Sequence, residues 1–379
     1  MRCGEPLIRS YDSHIDRARV EDLERRCEVG PAQRVFLFTD TLGDPICRIR
    51  NSPMYIMLVA ELDNELVGVI QGTIKLVTLH NLTKVGYALG LRVAPLHRRR
   101  GIGLRLVLKL EEWFIGNDVD YAYMATAKDN EASVSLFMKL GYVNFRTPAI
   151  LVNPVSRRMY HSSSTVEIKK LMAEEAEVVY RRFMSSMEFF PDDIDSILRC
   201  KLNLGTWVAY PRGESWDYSN GQFPSSWAML SVWNSGELFK LRLEKAPISC
   251  FIYTKSSKLM AKLVPSCFKL RDMPDFFHPF GFFFVYGLHR EGQASGKLMR
   301  TLFKFVHNLA IKSSEDCKVI VTEVGGGDRV KLHIPHWEFL SCPADLWCIK
   351  SLKNEEGTQN VNDLTKAPPR TLFVDPREV

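Results

Sequence analysis

The sequence predicts an α/β (α+β) protein built from two consecutive domains, each with a mixed central sheet flanked by helices. Three observations lead to this prediction. The chain has 379 residues, more than one hydrophobic core usually organises. Strand-like and helix-like apolar patterns alternate along it. A strand, a glycine-containing loop and an amphipathic helix follow one another twice, around 89–114 and around 280–310.

The first half has a regular order of strand-like and helix-like segments. Helices are predicted over 16–28, 104–116 and 130–140, where apolar residues recur at helical spacing. Strands are predicted over 6–12, 55–62, 66–78, 85–93 and 120–126, with a final strand pair over 142–153. The short connection Asp63-Asn64-Glu65 predicts a hairpin between two of these strands.

The second half repeats that order. Helices are predicted over 173–187, 192–201 and 297–310, and strands over 165–171, 205–210, 227–233, 280–287 and 317–323. Aligning Gly103 with Gly296 gives weak identity but the same element order, as in a diverged internal repeat. We therefore place one domain over 1–160, a second over 161–352, and a polar tail, loose or docked on the surface, over 353–379.

Composition narrows the class of protein and its partners. Hydrophobic residues make up 46% of the chain and charged residues 25%, which excludes disordered and fibrous proteins. The chain has 50 basic and 44 acidic side chains, and the net charge of +6 is too small to indicate nucleic-acid binding. No apolar run reaches the ~18–20 residues of a membrane span. We expect neither nucleic acid nor a membrane as a direct partner.

The cysteines and the N-terminus predict the compartment. The chain has 9 scattered cysteines and no Cys-x-x-Cys pair, which favours reduced thiols over a disulfide framework. Residues 1–30 contain no apolar stretch of the kind that secretory signals have. We therefore expect an intracellular protein of the nucleus, the cytoplasm or both.

The segment 98–103 (RRRGIG) gives the clearest chemical signal. It follows a predicted strand and precedes an amphipathic helix. Gly101 and Gly103 allow a tight turn whose N–H groups point inward, and the helix N-terminus adds its positive end. The arginines at 98–100 can neutralise further phosphate charge. We interpret the segment as a pyrophosphate-binding loop. The alternative is a solvated basic run or a short nuclear-import patch.

Here the chain resembles the GCN5-related N-acetyltransferase (GNAT) family. The family's acyl-CoA motif, Arg/Gln-x-x-Gly-x-Gly/Ala after a strand, is matched by Arg98, Gly101 and Gly103. Its second motif, Asn-x-x-Ala-x-x-Leu-Tyr-x-x-x-Gly-Phe, is similar to 130–142. The residues that match the second motif are Asn130, Leu136, Gly141 and Tyr142.

The resemblance implies tandem GNAT-like acyl-CoA N-acyltransferase folds, the second of them degenerate, with acetyl-CoA as co-substrate and no metal. It also implies that Asn130 bonds the pantetheine arm, although an Asn at this place can simply cap a helix. Backbone N–H groups of 91–93 are the family's usual donors to the developing oxyanion. The residues expected to contact acetyl-CoA are Leu91, Arg92, Val93, Arg98, Arg99, Arg100, Gly101, Ile102, Gly103, Leu104, Asn130 and Phe137.

The family's catalytic side chains are not matched. Its frequent tyrosine, which can protonate the leaving thiolate, falls at Phe137, and a phenyl ring donates no proton. The strand glutamate that some members use as a base falls at Tyr87, whose ordinary pKa near ~10 is unsuited to neutral pH. Tyr87 and Asp129 are the candidates that remain, while Glu111 and Glu112 are expected on a solvated helix face. The sequence assigns neither acid nor base.

The second glycine loop, 289–296 (HREGQASG), is a poorer copy. It keeps glycines but loses the arginine spacing, and Glu291 adds negative charge where a pyrophosphate would lie. We expect a structural or acceptor-shaping role for it. The pair His333-x-x-His336 and the cysteines downstream fit no common zinc spacing, so we expect core side chains there and not metal ligands.

Longer sequence segments make the resemblance more specific. They lie at 24–30 (ERRCEVG), 37–53, 188–198, 333–342 (HIPHWEFLSC), 345–350 and 373–378 (FVDPRE), and they are similar to those of plant Hookless-type probable N-acetyltransferases over nearly the whole chain. This implies acetyl transfer to a protein lysine, a protein N-terminus or a small amine, in hormone-dependent differential growth linked to ethylene and auxin. The alternative is a catalytically weak or inactive regulatory protein of the same fold. Segment 37–53, where the family covers its acceptor, is a candidate for substrate choice.

Overall fold

The structure is a computed structural model that describes 5–27, 36–161, 163–218, 220–245, 274, 276, 278–313, 316–342, 344–353, 361, 364–366 and 370–379. The helices are α1 (Ser13–Arg26), α2 (Ile102–Gly116), α3 (Glu131–Lys139), α4 (Ala173–Met184), α5 (Ile194–Arg199) and α6 (Ser295–Ser313). The strands are β1 (Leu7–Ser10), β2 (Phe36–Asp40), β3 (Met54–Leu62), β4 (Glu65–Thr78), β5 (Leu82–Val93), β6 (Tyr121–Ala127), β7 (Val143–Arg146), β8 (Ala149–Pro154), β9 (Val166–Leu171), β10 (Phe190–Pro191), β11 (Asn203–Pro211), β12 (Trp227–Asn234), β13 (Lys240–Lys245), β14 (Gly281–Glu291), β15 (Cys317–Val324) and β16 (Asp345–Ser351).

Two large sheets repeat one topology, which confirms the predicted fold class and the repeat. The first has the order β1-β3-β4-β5-β6-β16-β7, with β10 paired to β4. The second has the order β9-β11-β12-β14-β15-β8. In each sheet one central pair is parallel, β5 with β6 and β14 with β15, and its strands are joined by a long helix, α2 or α6. A small sheet pairs β2 of the first half with β13 of the second.

The two sheets exchange their last strands. β8 leaves the first half and pairs antiparallel with β15, whereas β16 comes from the second half and lies between β6 and β7. The predicted strand pair over 142–153 is therefore wrong, because β7 and β8 belong to different sheets. Strand pairing also crosses the domain boundary placed at 160, so each half completes the sheet of the other.

Helix α2 fixes which face of the first sheet is available to a site. Glycines of β4 and β5 let the helix lie close to the strands: a Cβ at Gly68 would be 2.9 Å from Leu106, and one at Gly86 would be 2.7 Å from Phe114. Side chains alternate between faces along a strand. Tyr87, next to Gly86, therefore points to the opposite face, toward the second half of the chain.

Residues 370–379, here called the C-terminal arm, are largely buried. Phe373 is 2% exposed, Asp375 1% and Arg377 3%. Arg377 forms ion pairs with Asp375 at 2.7 Å and with Asp193 at 2.6 Å. The prediction of a loose or surface-docked tail is wrong for this arm. Residues 354–360, 362–363 and 367–369 of the predicted tail lie outside the described residues.

Candidate functional site

The loop between β5 and α2 presents unpaired backbone N–H groups. A short 3-10 turn, Pro95–His97, follows β5, and Gly101 then takes a φ of 78° as the N-cap of α2 without any side-chain capping bond. The first amide of the helix to bond within it is that of Arg105, which donates to the carbonyl of Gly101 at 3.0 Å. The N–H groups of 102–104 are thus at a helix N-terminus without a capping acceptor, which is the arrangement that binds an anion.

The space around this loop is open. A Cβ added at Gly101 would meet nothing within 4 Å, and one added at Gly103 would be 3.5 Å from its nearest neighbour, a methyl carbon of Leu136. Arg98, Arg99 and Arg100 are exposed. The Arg98 side chain folds back, and its Nε donates to the carbonyl of Val93 at 3.2 Å. An anionic ligand can therefore reach the loop, where the arginines provide positive charge.

After residue 88, the edge of β5 that faces β6 is not paired with β6, and the two strands leave a gap between them. The two strands pair in parallel only over 85–88 and 121–124, and they diverge from there on. The predicted contact segment 91–93 lies on the unpaired stretch. The Arg92 guanidinium points away to Glu24 of α1, with 3.1 Å between Nε and Oε2, so only the backbone of Arg92 faces the gap.

The two predicted contacts on α3 have different surroundings. Asn130 is the N-cap of α3: its Oδ1 accepts from the N–H of Ser133 at 3.3 Å, and its Nδ2 donates to Thr126 at 3.1 Å. Phe137 is 3% exposed and packs edge-on against Tyr142, with 5.0 Å between ring centroids. Asn130 is thus placed beside the gap at the end of β6, whereas Phe137 is a core residue.

The second glycine loop has a similar backbone but no space. Gly292 has a φ of 81°, yet a Cβ there would come within 2.5 Å of Ser226 Oγ and closer still to the carbonyl oxygen of Ser225. The Ser226 hydroxyl already accepts a hydrogen bond from the N–H of Ala294 at 3.1 Å. At Gly296, a Cβ would clash with the His333 ring. The chain itself fills this copy of the loop.

The comparisons with known proteins agree with this geometry. The family model described as Acetyltransferase (GNAT) family matches residues 17–142. The chain is 46% identical to the protein named probable N-acetyltransferase HLS1 of Arabidopsis thaliana, over 98% of this chain and 99% of that one. It is 33% identical to acetyl transferase GW6a of Oryza sativa subsp. japonica, over 98% and 97% of the two chains. This chain belongs to the GNAT acetyltransferase family.

Solved structures support the tandem arrangement of this GNAT chain. Saccharomyces cerevisiae N-myristoyltransferase with bound myristoyl-CoA superposes with a TM-score of 0.55 at 11% identity, covering 91% of this chain and 79% of that one. A tandem GNAT protein from the clavulanic acid biosynthesis pathway superposes with a TM-score of 0.53 at 10% identity, covering 93% and 100%. At such low identity these likenesses concern the fold alone.

The sequence of this GNAT chain left Tyr87 and Asp129 as candidate catalytic residues. The structure shows neither of them in a position that identifies it as the base. Tyr87 is 8% exposed and stacks on Tyr123, with 4.7 Å between centroids. Burial, together with the charge of Glu378, raises the pKa of Tyr87 far above its ordinary value, so this phenol stays protonated. Asp129 is exposed ahead of α3. Asp129 therefore stays a candidate only by its position.

The expectation for Glu111 is wrong. This side chain is buried, with Oε2 2.7 Å from Nζ of Lys350 on β16. Glu112 is exposed, as expected for a solvated helix face, and pairs with Lys109 at 2.6 Å. A partner from the inserted strand β16 accounts for the difference, because a buried carboxylate needs a counter-charge.

Three carboxyl groups that the sequence reasoning missed lie around Tyr87. They are Glu323 at the end of β15, Asp345 at the start of β16 and Glu378 in the C-terminal arm, here called the carboxyl cluster, and their charges all act on the Tyr87 hydroxyl. Burial, and then the charge of Asp345, raises the pKa of Glu323 to about 8. Burial raises the pKa of Asp345 to about 6. No sequence spacing links these residues, so no motif could have found them.

Glu378 differs from the other two carboxyls in having a cation beside it. Its Oε1 lies 2.6 Å from Nζ of Lys75, and it accepts a hydrogen bond from the Tyr123 hydroxyl. Within the part of the chain that the structure describes, no group of three or more His, Cys, Asp or Glu side chains is arranged to hold a metal ion, and no helix is long and apolar enough to cross a membrane.

Proposed function

We propose that this chain is an acetyl-CoA-dependent N-acetyltransferase that acetylates a protein lysine, a protein N-terminus or a small amine. The observation that supports this most is the open, basic loop before α2, with unpaired N–H groups at 102–104, in a chain of the GNAT family. Acetyl-CoA would supply the activated acetyl group. The loop and the arginines at 98–100 would hold its pyrophosphate, because both supply positive charge and hydrogen-bond donors.

The other predicted contacts with acetyl-CoA involve the backbone of one segment and the side chains of two residues. The backbone of 91–93, on the unpaired edge of β5, would provide N–H donors for the reacting carbonyl. The Asn130 amide is beside the same gap and is already engaged as a helix cap. Phe137 lies in the core, so it would support the site by packing and would donate no proton.

The physiological setting is proposed from the relatives. The chain is similar to the Arabidopsis protein named HLS1, and from its resemblance to Hookless-type proteins we infer a role in hormone-linked differential growth, associated with ethylene and auxin responses. The similarity to rice GW6a extends the same group to a second plant. The protein would act inside the cell, in the nucleus, the cytoplasm or both.

One observation favours a second candidate function, a regulatory protein that binds partners and has little or no catalysis. The family's proton-donating tyrosine is replaced by a buried phenylalanine, Phe137, and Tyr87 replaces its glutamate base. Release of the CoA thiol above background with any defined amine would exclude this alternative. The assay offers acetyl-CoA with lysine peptides, peptides with free N-termini and small amines.

Binding of acetyl-CoA tests the proposal directly. We expect saturable binding by titration calorimetry and a loss of at least ~100-fold in Gly101→Asp, because the new carboxylate would repel the pyrophosphate at the helix N-terminus. Gly116→Asp is the matched control: it lies at the other end of α2, where a Cβ also meets nothing within 4 Å. If Gly101→Asp binds as tightly as the control, the loop does not hold the pyrophosphate.

A further inference from the structure

Glu323 is a half-buried acid whose position the family motifs do not explain. It belongs to the second sheet, yet its Oε1 accepts a hydrogen bond at 2.9 Å from Nε1 of Trp347, which lies on the inserted strand β16 of the first sheet. It lines a recess at the place where β14 and β15 diverge. Other residues lining this recess are Tyr286, Gly287, Leu288, Phe373 and Val374. The strand exchange thus brings a carboxyl of the second half to the face of the first sheet.

A row of stacked rings connects this carboxyl with the open edge of β5. Trp347 stacks on Tyr123 with 5.6 Å between centroids, and Tyr123 stacks on Tyr87 with 4.7 Å. Tyr87 lies two residues before the edge opens at Leu89. Glu323, bonded to the first ring of this row, is therefore on the face of the first sheet opposite α2.

Neither Glu323 nor Asp345 forms an ion pair with any residue that the structure describes. Glu378, the third carboxyl of the cluster, differs because Lys75 lies against it. The other charge that acts on Tyr87 is the Arg48 guanidinium, which is turned toward Phe239 at 5.6 Å from its ring centroid. Asp345 is buried and Glu323 half-buried, with no cation beside either among the described residues, and this favours a cationic ligand such as an ammonium group.

We propose that Glu323 is the proton acceptor for the substrate amine, and that Asp345 is a positioning residue whose negative charge keeps Glu323 basic. The proposal rests on the proposed acetyltransferase function and deepens it, because it assigns the base to the second half of the chain. The raised pKa of Glu323, about 8, agrees with the role, since a base works best near the working pH.

The reaction balances with these groups alone. An amine that arrives as ammonium first releases one proton to solvent. The neutral nitrogen then forms a C–N bond to the acetyl carbon, the C–S bond breaks, and its electron pair leaves with sulfur. The second amine proton passes to the Glu323 carboxylate, and the CoA thiolate takes a proton from solvent. The products are the acetamide and CoA, and Glu323 returns its proton to water.

Water can replace the amine in a test that needs no known acceptor. Slow hydrolysis of acetyl-CoA by the full chain reports the base without the titration of an amine. We expect the rate to rise with pH through about 8, because only unprotonated Glu323 accepts a proton. In Glu323→Gln we expect a fall of ~100-fold or more and loss of that pH dependence. In Asp345→Asn we expect the rate to rise at a lower pH, because loss of the negative charge of Asp345 lowers the pKa of Glu323.

A second readout is independent of activity. Difference infrared spectra of the protein without acetyl-CoA are compared between pH 7 and pH 9, a range in which Asp345, with a pKa of about 6, stays largely ionised. We expect loss of a protonated-carboxyl band in the wild type and absence of that change in Glu323→Gln. The control for both readouts is Glu338→Gln, an exposed carboxylate from the segment between β15 and β16. It leaves rate, pH profile and spectrum unchanged.

The outcomes separate this inference from the proposed function. If the wild type binds and uses acetyl-CoA while Glu323→Gln keeps its rate and pH profile, the base assignment is wrong and the acetyltransferase function stands. If the wild type does not bind acetyl-CoA, the proposed function fails and the base assignment fails with it. An infrared band that persists in Glu323→Gln contradicts the assignment in either case.

Discussion

The loops before α2 and α6 occupy the same place in the two halves and differ in what surrounds them. Gly101 and Gly292 have almost the same φ, 78° and 81°. The first loop is surrounded by solvent, whereas Ser225 and Ser226 fill the second. Each loop therefore has a glycine in the left-handed region, but only the first has free space beside it. The two loops differ in their neighbours more than in the conformation of these glycines.

The strand edges beside these loops show the same contrast. Beyond 85–88, the edge of β5 toward β6 is unpaired and open. In the second half, the corresponding recess at Gly287 and Leu288 is lined by Phe373 and Val374 of the C-terminal arm. The second half has thus become a support that fills its own cleft. Five predictions test this contrast, and the largest expected effect concerns the C-terminal arm.

Arg377→Ala should destabilise the fold strongly. The guanidinium donates to Asp375 and Asp193, and its loss leaves Asp375 buried without that counter-charge, which costs about 3–5 kcal/mol. Urea denaturation measures the change. Arg181→Ala, which removes an exposed i,i+4 pair with Glu177, is the control and should cost about 0.2–1 kcal/mol. Equal costs for the two variants would mean that the arm is only loosely docked.

The same arm predicts a pH dependence. Burial alone would raise the pKa of Asp375, but the charges of Arg377 and Lys75 outweigh it and hold that pKa far below its usual range. A carboxyl whose pKa is lowered on folding binds fewer protons in the native state than in the unfolded one. Its contribution to stability is therefore present above the unfolded pKa of about 3.9 and is lost as the pH falls below it. Asp375→Asn should flatten the acid limb of the stability curve.

Alanine at the two left-handed glycines, Gly101 before α2 and Gly292 before α6, should have unequal effects on stability. At Gly292 the new Cβ meets Ser225 and Ser226 in a left-handed backbone, and we expect a cost of about 2–5 kcal/mol. At Gly101 the space is empty, and only the backbone strain of about 1–2 kcal/mol remains. Thermal and urea denaturation compare the two variants. A smaller cost at Gly292 than at Gly101 would show that the second loop is not filled.

Charge reversal at the two loops should separate binding from folding. Arg98→Glu should weaken acetyl-CoA binding by about 1.5–3 kcal/mol, the range for hydrogen bonds to charged groups. Arg290→Glu changes the arginine that donates to Ser295 in the second loop, and it should leave the affinity unchanged. Calorimetry on both variants is sufficient. A matching loss in Arg290→Glu would indicate that the second loop also contacts the ligand.

The smallest effect is expected at Ser226. Ser226→Ala removes the acceptor for the Ala294 N–H and should cost about 1 kcal/mol of stability. The stoichiometry of acetyl-CoA should stay at one per chain, because the Ser225 backbone still fills the loop. A second molecule bound by this variant would show that a single hydroxyl separates the filled loop from an open one.

The local elements and the first loop could be predicted because their causes lie within a few residues. Alternate glycines after a strand and before an amphipathic helix produced the loop at 98–103, and helical spacing of apolar residues produced α2 and α6. The hairpin at Asp63 and Asn64 followed from its turn, in which both residues have positive φ. Sequence alone thus determined the repeat, the family and the place of the glycine loop before α2.

Features that depend on distant partners could not be predicted. An apolar strand such as β8 or β16 can pair with either sheet, and the choice depends on edges that exist only after folding. The arm and Glu111 carry charges and therefore resemble surface segments, but Lys75, Asp193 and Lys350 lie far away along the chain and neutralise them in the interior. The carboxyl cluster exists for the same reason. Tertiary packing brings together acids from separate segments, and their burial gives them the chemistry that no local spacing shows.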